Sequence, residues 1–534
     1  MLLKQVSHKH GLAMIWNKYN YLNENRGRLS YADERRKSNS TADSRTPFES
    51  DFGRVIFSPA CRRLHDKTQV FPLTTDDNIH SRLTHSMEVM NIGLSFAINL
   101  CESKDFRKKT GLSDCSIMRQ ISPILKTSCL VHDIGNPPFG HFGEEVIQDY
   151  FNRLLDSLDY ELKIKAEGAK VGTLGQYIIE GIKSADSDKK FAEKTLVKFL
   201  NTPSLRYDYS EFDGNAEGFR VLTKLQYLGD LKGLNLTYAT LGSTLKYPNF
   251  GGKDKYGPIA NHKHGVFHTE KKLVESIASA CKLKQDNGNI IRHPLSFLME
   301  AADSICYLLM DIEDAVQKSW IDLDYIKRIV NKGVPKKCRD KIEDYYNQFN
   351  GKNPTKQKKW VSYRTALLTY LMIVATNNFV NNLEEIEKGG YNNELIEDGD
   401  DLFKTLKHIS KTKILSKRDI ISLEITGQAV ITGIIDVYIK LLFHSDKKFR
   451  NRGKSMISHS IFMTILHEHY NEYKNTKHFK NKYGKKSDIE KLYEDFDVID
   501  FTVEERLRLI RDFVACMTDK FAVKHYQKLS GQKI

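Results

Sequence analysis

The chain has 534 residues, of which 40% are hydrophobic and only 12 are proline, which excludes a disordered protein and favours a folded, helix-rich one. Its length allows two or three average domains, or one large core with insertions. Lys and Arg number 82 against 68 Asp and Glu, and the net charge of +14 favours polyanionic partners such as nucleotides or nucleic acid. The excess is spread along the chain, so a bias of the genome explains it equally well.

The eight cysteines form no C-x-x-C pair and no zinc-knuckle spacing, so we expect reduced thiols in a reducing compartment. The N-terminus, Met1-Leu2-Leu3-Lys4-Gln5, lacks the apolar core of a signal peptide. No run approaches the ~18 apolar residues that are needed to span a membrane. The sequence therefore predicts a cytoplasmic protein with no membrane partner.

In chain order, residues 1–50 are polar and charged and predict an irregular N-terminal arm. A helix is expected to begin at Ser50-Asp51, and apolar residues at helical spacing predict a second one over Leu83–Leu100. Ile124–Ile134 predicts a third helix, which Gly135 and two prolines end. Further segments with a helical pattern are 145–160, 170–200, 361–445 and 456–530.

The longest apolar helical pattern covers Leu295–Trp320, with Pro294 at its start, where a missing N–H costs nothing. Three segments predict connections: a long Gly-, Pro- and Asn-rich loop over 246–270, a Lys-rich surface connection over 331–360, and a basic loop over 446–455. No long alternation of apolar and polar residues indicates a large sheet. The fold class is therefore mainly α, with little sheet.

One segment concentrates residues that carry chemistry, from Val131 to Glu144. The adjacent pair His132-Asp133 closes an apolar run, a stiff Gly/Pro turn follows, and His141 precedes Glu144 by three residues. Imidazole and carboxylate together suit a divalent cation of the Mn, Fe, Ni or Zn type. A second imidazole held nearby by a turn is suited to moving protons beside that cation.

Two other segments add polar groups of the same kind. His85 follows Arg82 by three residues, which puts both on one face of a helix. Asp303, Tyr307 and Asp311 are spaced i, i+4, i+8 on a strongly apolar helix, where carboxylates are expensive to bury without a metal or another partner. Each of these residues alone is better explained as a surface, salt-bridge or core residue, but together they indicate one site.

The pattern His…His-Asp…Asp resembles the metal pattern of the HD superfamily. The fuller motifs resemble the deoxyguanosinetriphosphate triphosphohydrolase (dGTPase) family, and the run HDIGNPPFGHFGE with the other blocks in order is highly specific. The matching blocks run from about residue 50 to 520 and are Arg62-Arg63-Leu64, Lys67 to Leu73, Arg82 to Ser86, His132 to Glu144, Asp213 to Gly218, Glu300 to Ala315 and Met517-Thr518-Asp519.

The resemblance implies one divalent metal per subunit, Mn²⁺ or Mg²⁺, with other transition metals possible. Its implied ligands are His85, His132, Asp133 and Asp303. The resemblance also implies that His141, held by Glu144, is the catalytic acid/base.

A second implied set of residues contacts the substrate. Arg82 and Tyr307 would contact phosphate, Gln69 and Asp311 the sugar 3′-hydroxyl, Lys246 and Tyr247 the triphosphate, and Glu397 the guanine. Tyr247 or Tyr391 would pack against the 2′ carbon and exclude ribonucleotides. Arg450 and Arg452 are candidates for a further phosphate contact.

The implied reaction is water attack at the α-phosphorus of dGTP, which releases deoxyguanosine and inorganic triphosphate. A broad-specificity dNTPase, an HD phosphohydrolase on another nucleotide and a nucleic-acid-binding regulator remain as alternatives. The family also implies a homo-oligomer, a hexamer among the options, and single-stranded DNA as a possible effector. We divide the chain into the arm (1–50), an HD-domain helical core (51–330) and a C-terminal helical region that completes the nucleotide pocket (331–534).

Overall fold

A computed structural model describes the chain over 21–22, 44–71, 73, 76, 78–164, 173–183, 189–351, 354–397, 401–484 and 488–532. The structure is 72% helical, and the described residues contain no strand, which confirms the mainly α fold. Two isolated antiparallel bridges, Thr68 with Ser81 and Lys284 with Ile290, are the sheet-like pairings among the described residues.

In its described residues, the first half of the chain forms helices joined by links of varied length, of which the loop over 246–270 is long. The helices are α1 (Pro47–Ile56), α2 (Pro59–Arg63), α3 (Arg82–Glu102), α4 (Lys104–Thr110), α5 (Asp114–Ser116), α6 (Ser122–Val131), α7 (Gly140–Ile164), α8 (Leu174–Lys183), α9 (Lys189–Leu200), α10 (Pro203–Ser210), α11 (Gly214–Arg220), α12 (Tyr238–Thr244) and α13 (Lys271–Ala280).

The second half continues in the same way after a loop that ends at His293. Its helices are α14 (Pro294–Gln317), α15 (Leu323–Gly333), α16 (Lys336–Asn350), α17 (Lys356–Asn381), α18 (Leu383–Lys388), α19 (Leu402–Lys413), α20 (Arg418–Leu442), α21 (Lys447–Met456), α22 (His459–Tyr473), α23 (Lys477–Tyr483), α24 (Ile489–Asp495), α25 (Val503–Ala515) and α26 (Asp519–Leu529).

The helix starts follow local capping chemistry. The hydroxyl of Ser81 accepts a hydrogen bond from the backbone N–H of Thr84 and so caps α3. Helix α1 begins at Pro47 rather than at Ser50, because Thr46 and Glu49 form a capping box around that proline. Most of the predicted arm lies outside the described residues, but Tyr21 is buried in the core.

Two predicted connections are wrong. The Lys-rich segment 331–360 holds α16 and the start of α17, because Ile342 and Tyr346 lie four residues apart and bury one side of α16. The basic segment 446–455 is helix α21, whose first turn is capped by the Asp446 carboxylate. The predicted loop over 246–270 is a loop apart from short 3₁₀ turns.

Two hydrophobic clusters form the interior. The first packs α3, α6 and α14 together and extends to residues of α17 and α19. The second packs α20 against α7, α25 and α26. The first cluster spans residue 330, where we divide the chain, and that division stays a prediction.

Helix α20 contains an apolar stretch of membrane-spanning length, although we expect no such run from the sequence. Ile420–Leu442 has a mean hydropathy of 1.5 over its most apolar window, which is enough by length and composition alone to cross a membrane. One third of that window, 33%, is buried in the protein. The buried side of α20 belongs to the second cluster, so the apolar residues there pack against α7 and α25.

Candidate metal centre and active site

The junction of three packed helices brings the predicted metal ligands together. His85 comes from α3, His132 follows the last residue of α6, and Asp303 lies in α14. The Nε2 atoms of both histidines lie 3.3 Å from Oδ1 of Asp303. Oδ2 of Asp133 lies 3.5 Å from Nε2 of His132. Ligand atoms of His85, His132 and Asp133 all lie within 4.8 Å of one another, and Asp303 adjoins this group through both histidines.

The hydrogen bonding of these groups fits a cation. Nδ1 of His132 lies 2.7 Å from the carbonyl oxygen of Cys129 and donates its proton there, which leaves the Nε2 lone pair directed at the carboxylates. Nε2 of His132 and Nδ1 of His85 are buried without a hydrogen-bond partner. An imidazole lone pair and a carboxylate oxygen repel each other unless a positive charge lies between them. A divalent metal supplies that charge, and the residues present suit one.

The carboxylates of the cluster favour a positive charge beside them, which either a metal ion or a proton on His132 provides. Burial lowers the pKa of His132, but the charges of Asp133 and Asp303 outweigh it and raise the pKa to about 10. Burial raises the pKa values of Asp133 and Asp303, but the neighbouring cations hold both well below the usual range. Both carboxylates are therefore ionised, as metal ligands must be.

Asp133 has two further partners that fix its orientation. The Arg82 guanidinium forms an ion pair with Oδ2, and the side-chain amide of Asn136 donates to Oδ1 at 2.7 Å. Arg82 Nε is buried without an acceptor, although the same side chain lines the cavity above. Arg82 thus pairs with a predicted ligand and keeps one donor unused.

His141 stands beside this cluster at the start of α7. Its Nδ1 lies 3.0 Å from Oε2 of Glu144, whose Oε1 accepts from the backbone N–H of Gly214 at 2.9 Å. The His141 side chain is 73% exposed, whereas that of Glu144 is 7% exposed. The negative charge of Glu144 raises the pKa of His141. Burial raises the pKa of Glu144, but the charge of His141 outweighs it and lowers that pKa to about 2.

The turn between the His-Asp pair and His141 has an unusual backbone conformation. Phe139 and Gly140 have φ values of 64° and 59°, in the left-handed region that a bulky residue such as Phe rarely adopts. The carboxylate of Asp519 holds the turn, since it accepts from the N–H of Phe139 and of Thr68, each at 2.9 Å. Asp519 therefore ties the segment of Gln69 to that of His141.

Glycines allow the backbone segments that support the site to approach each other closely. A Cβ on Gly135 would lie 1.9 Å from the backbone nitrogen of Gly218. A Cβ on Gly214 would lie 2.2 Å from Oδ1 of Asn136 and 2.6 Å from Oε1 of Glu144. The segment that begins at Asp213 consequently packs directly against both the His-Asp turn and the Glu144 carboxylate.

A cavity of about 610 Å³ opens above the cluster, between the two hydrophobic clusters. His85 and Glu144 lie buried beneath its surface. The other predicted site residues that line it are Gln69, Arg82, His132, Asp133, His141, Lys246, Tyr247, Asp303, Tyr307 and Asp311. Gln69 Oε1 is buried with no donor, so it is available to a ligand.

Four candidates from the sequence are not among the residues that line this cavity. Glu397 is absent from the lining, whereas Glu394, three residues earlier, is present. Tyr391 packs its ring on Phe297 instead, with the ring centroids 5.7 Å apart. Arg450 is buried in α21 and pairs with Asp497, with nitrogen–oxygen distances of 2.8 and 2.9 Å. Arg452 stacks on Phe449.

Several cavity residues were not predicted from the sequence. Lys263 Nζ lies 3.1 Å from Oδ2 of Asp213 and faces the His141–Glu144 pair. Glu394 accepts a hydrogen bond from the Ser304 hydroxyl at 2.8 Å. Lys407 and Lys411 reach the cavity from α19. The Lys-rich composition gave no signal to separate these lysines from the rest, but Ser304 adjoins a predicted ligand.

Lys246 and Lys263 make one side of the cavity cationic. Lys246 Nζ lies 3.5 Å from Oε1 of Glu300 and 3.7 Å from Oδ2 of Asp303. Burial lowers the pKa of Lys246, but Tyr247, Glu300 and Asp303 outweigh it and hold it well above the usual value. Burial likewise lowers the pKa of Lys263, and Asp213 and Glu144 outweigh it, so both ammonium groups are charged.

Fold and site together define a class: a mainly α-helical protein in which a buried histidine–aspartate cluster opens into a cavity with one cationic side, which suits an anionic phosphate compound. Comparisons with known proteins show to which family within this class the chain belongs. A scan against family models finds no match.

Relatives cover nearly the full chain. The protein is 31% identical over 536 residues to a deoxyguanosinetriphosphate triphosphohydrolase-like protein of Listeria monocytogenes, covering 97% of this chain and 100% of the relative. It is 30% identical over 510 residues to a deoxyguanosinetriphosphate triphosphohydrolase of Yersinia pseudotuberculosis, covering 90% and 93%. The chain therefore belongs to the deoxyguanosinetriphosphate triphosphohydrolase family.

Proposed function

We propose that this protein hydrolyses dGTP to deoxyguanosine and inorganic triphosphate, at a divalent metal held by His85, His132, Asp133 and Asp303. The observation that carries the proposal is the convergence of both imidazole Nε2 atoms on Oδ1 of Asp303, at 3.3 Å each, beneath a cavity with one cationic side. When bound, Mn²⁺ or Mg²⁺ would supply Lewis-acid polarisation of a phosphoryl group.

His141 is suited to serve as the acid/base in this reaction. It is exposed toward the cavity, and the Glu144 carboxylate fixes its ring and raises its pKa. A protonated His141 donates to the departing 5′-oxygen of the nucleoside, which neutralises the charge that develops when the bond to the α-phosphorus breaks. Glu144 acts through His141 and is a positioning residue.

The triphosphate is expected to bind along the cationic side of the cavity. Lys246 and Lys263 provide two ammonium groups, and Arg82 provides a guanidinium with a free Nε donor. Tyr307 presents a phenolic hydroxyl next to Asp303 on α14. Catalysis in such a site rests on positioning and charge neutralisation.

The deoxyribose is expected to contact Gln69, Asp311 and Tyr247. Burial and the charge of Asp314 raise the pKa of Asp311 well above its usual value, so its carboxyl is protonated and donates a hydrogen bond. Gln69 Oε1 offers an acceptor. These two groups are complementary to a 3′-hydroxyl, which both donates and accepts. Tyr247 packed at the 2′ carbon would exclude a ribonucleotide.

The preference for dGTP rests on the names of the relatives. A broad-specificity dNTPase uses the same cluster, cavity and acid, and differs only in the residues around the base. We propose Glu394 in place of Glu397 as the carboxylate closest to bound nucleotide, because Glu394 lines the cavity. We also propose a cytoplasmic homo-oligomer. Single-stranded DNA as an effector would require oligonucleotide affinity that falls steeply with salt.

Product analysis tests the reaction directly. The protein is incubated with each dNTP and with GTP in the presence of Mn²⁺, and products are separated by chromatography. We expect deoxyguanosine and intact triphosphate from dGTP. Cleavage of several dNTPs to nucleosides would support the broad-specificity alternative. Pyrophosphate or monophosphate as the product would contradict attack at the α-phosphorus.

A further inference from the structure

A second cavity lies behind the wall that carries Lys246 and Tyr247. Its volume is about 350 Å³, and its walls come from the loop after Tyr247, the segment before α14, and the residues after α18. None of the proposed catalytic or substrate-binding residues lines it. It is therefore separate from the cavity that we assign to dGTP.

Arg292 gives this cavity a buried cation. Its side chain is 2% exposed, and only one of its three nitrogens has a hydrogen-bond acceptor, since NH2 donates to Oε2 of Glu300 at 2.6 Å. Nε and NH1 are buried without a partner. Leaving two donors of a charged group unsatisfied in the interior is costly, so an acceptor from outside the chain would be stabilised there.

The other walls suit a flat ring. Phe250, Phe297 and Tyr391 all line the cavity, and the Arg292 guanidinium lies 4.0 Å from the centre of the Phe297 ring. Asn289 contributes a side-chain amide. Aromatic faces bind planar groups, and a guanidinium binds phosphate or carboxylate through charge-assisted hydrogen bonds.

We propose that this cavity is a second ligand site, for a small planar ring that carries one phosphate or carboxylate group. The shared chemistry is a ring-bearing anion whose charge engages Arg292. The ring packs among the aromatic side chains, and the volume limits it to about the size of a mononucleotide.

The two cavities share their walls. Three short segments give residues to both cavities, and the nearest pairs along the chain are Tyr247 and Pro248, Phe297 and Met299, and Tyr391 and Glu394. A chain of ion pairs also connects the two cavities. Oε2 of Glu300 pairs with Arg292, and Oε1 of Glu300 lies 3.5 Å from Nζ of Lys246.

An anion on Arg292 competes with Glu300 for that guanidinium. Glu300 then interacts more strongly with Lys246 and draws it away from the triphosphate. This coupling step rests on the proposed function. We expect a saturating ligand to raise the KM for dGTP roughly fivefold, with little change in kcat.

Binding is tested apart from activity, by calorimetric titration of the full chain. The probes are guanosine 5′-monophosphate (GMP) for a ring phosphate, orotate for a ring carboxylate, and guanosine for a ring with no anionic group. Ala260→Trp fills the second cavity without removing a charge, and Lys255→Trp, exposed on the same loop and outside the lining, is the matched control. Arg292→Gln is a second variant, which leaves the cavity open.

We expect GMP or orotate to occupy one more site per chain in the parent and in Lys255→Trp than in Ala260→Trp. Guanosine should not occupy this additional site. Equal stoichiometry in all three proteins, or binding of guanosine as strong as that of GMP, would overturn the inference. Because the titration needs no turnover, a protein that binds at this site and hydrolyses no dGTP contradicts the proposed function alone. A KM that GMP raises equally in Ala260→Trp would overturn the coupling.

Discussion

Nε2 of His132 lies 3.3 Å from Oδ1 of Asp303, although the two residues come from helices more than 160 positions apart in the chain. Nε2 of His85 lies at the same distance from that oxygen, and Oδ2 of Asp133 lies 3.5 Å from Nε2 of His132. We expect Asp303→Asn to weaken metal binding and to lower kcat for dGTP by roughly 100-fold or more.

The measurement is Mn²⁺ titration by calorimetry beside the hydrolysis assay. Added Mn²⁺ should raise the melting temperature of the parent and leave that of Asp303→Asn nearly unchanged, because only the parent binds the ion in its folded state. Chelator should remove activity from the parent, and Mn²⁺ should restore it. Equal thermal stabilisation of both proteins would contradict the assigned ligand set.

Glu144 sets the pH range in which His141 can act as an acid. Glu144→Gln keeps an oxygen for the Gly214 N–H but removes the negative charge that raises the pKa of His141. That pKa falls, so the protonated form is lost at a lower pH. The alkaline limb of the kcat profile should therefore move to lower pH. Glu145→Gln, at the exposed neighbouring position, should leave the profile unchanged.

Replacing His141 itself should cost more than replacing its partner. We expect His141→Ala to lower kcat by roughly 10²–10⁴-fold, the usual contribution of a positioned acid or base. KM for dGTP should change little, because the side chain is mostly exposed and the phosphate contacts remain. A KM that rises while kcat stays constant would make His141 a binding residue.

The sequence was most predictive where the ligands lie inside a short motif or on a regular helix. The i, i+4, i+8 spacing placed Asp303, Tyr307 and Asp311 on the side of α14 that faces the cavity, and the structure has all three there. Lys263 and Glu394 could not be predicted in this way, because both stand in irregular segments whose path is set by tertiary contacts. Buried His264, bonded to Asp208 at 3.0 Å, fixes the loop of Lys263.

Amino-acid composition is a poor guide to structure in the basic segments of this chain. Charge suggested a solvated loop over 446–455, but Arg450 is buried there by a bidentate pair with Asp497. That partner lies far along the chain and cannot be identified from local pattern. In the segment 331–360 the many lysines obscured the apolar spacing of Ile342 and Tyr346.

Lys263 is expected to bind the triphosphate. Lys263→Gln should raise the KM for dGTP about tenfold, the value of one charge-assisted hydrogen bond. Lys255→Gln, an exposed position in the same loop, should have no effect, and Lys263→Arg should recover most of the affinity. Steady-state kinetics with product identification check this. Inorganic triphosphate should also inhibit the parent more strongly than Lys263→Gln.

Glu394 and Glu397 form a natural pair of test positions. Burial and the charge of Glu300 raise the pKa of Glu394 to about 7, so its carboxyl ionises as pH rises through neutrality. The ionised form repels a triphosphate, and KM for dGTP should therefore rise between pH 6 and pH 8, a range on either side of that pKa. Glu394→Gln, which mimics the neutral acid, should flatten this dependence. Glu397→Gln should retain it, since Glu397 does not line the cavity.

His293 links the start of α14 to the N-terminal arm and should make stability depend on pH. Its Nε2 donates to the carbonyl oxygen of Tyr21 at 2.9 Å, and its Nδ1 accepts from the N–H of Leu295 at 3.1 Å, so the folded state requires the neutral ring. Burial lowers the pKa of His293 from 6.5 to about 4. Protonation therefore favours the unfolded chain, and stability that is full above pH 6.5 is lost as pH falls toward 4.

This single group should lower the free energy of unfolding by about 2 kcal/mol between neutral pH and pH 5. Denaturant titrations at both pH values measure the difference. His293→Asn keeps an acceptor for the Leu295 N–H and removes the titrating ring, so its stability should fall less over the same interval. If parent and variant lose stability equally, acid sensitivity comes from other groups, and the contact between Tyr21 and His293 does not set it.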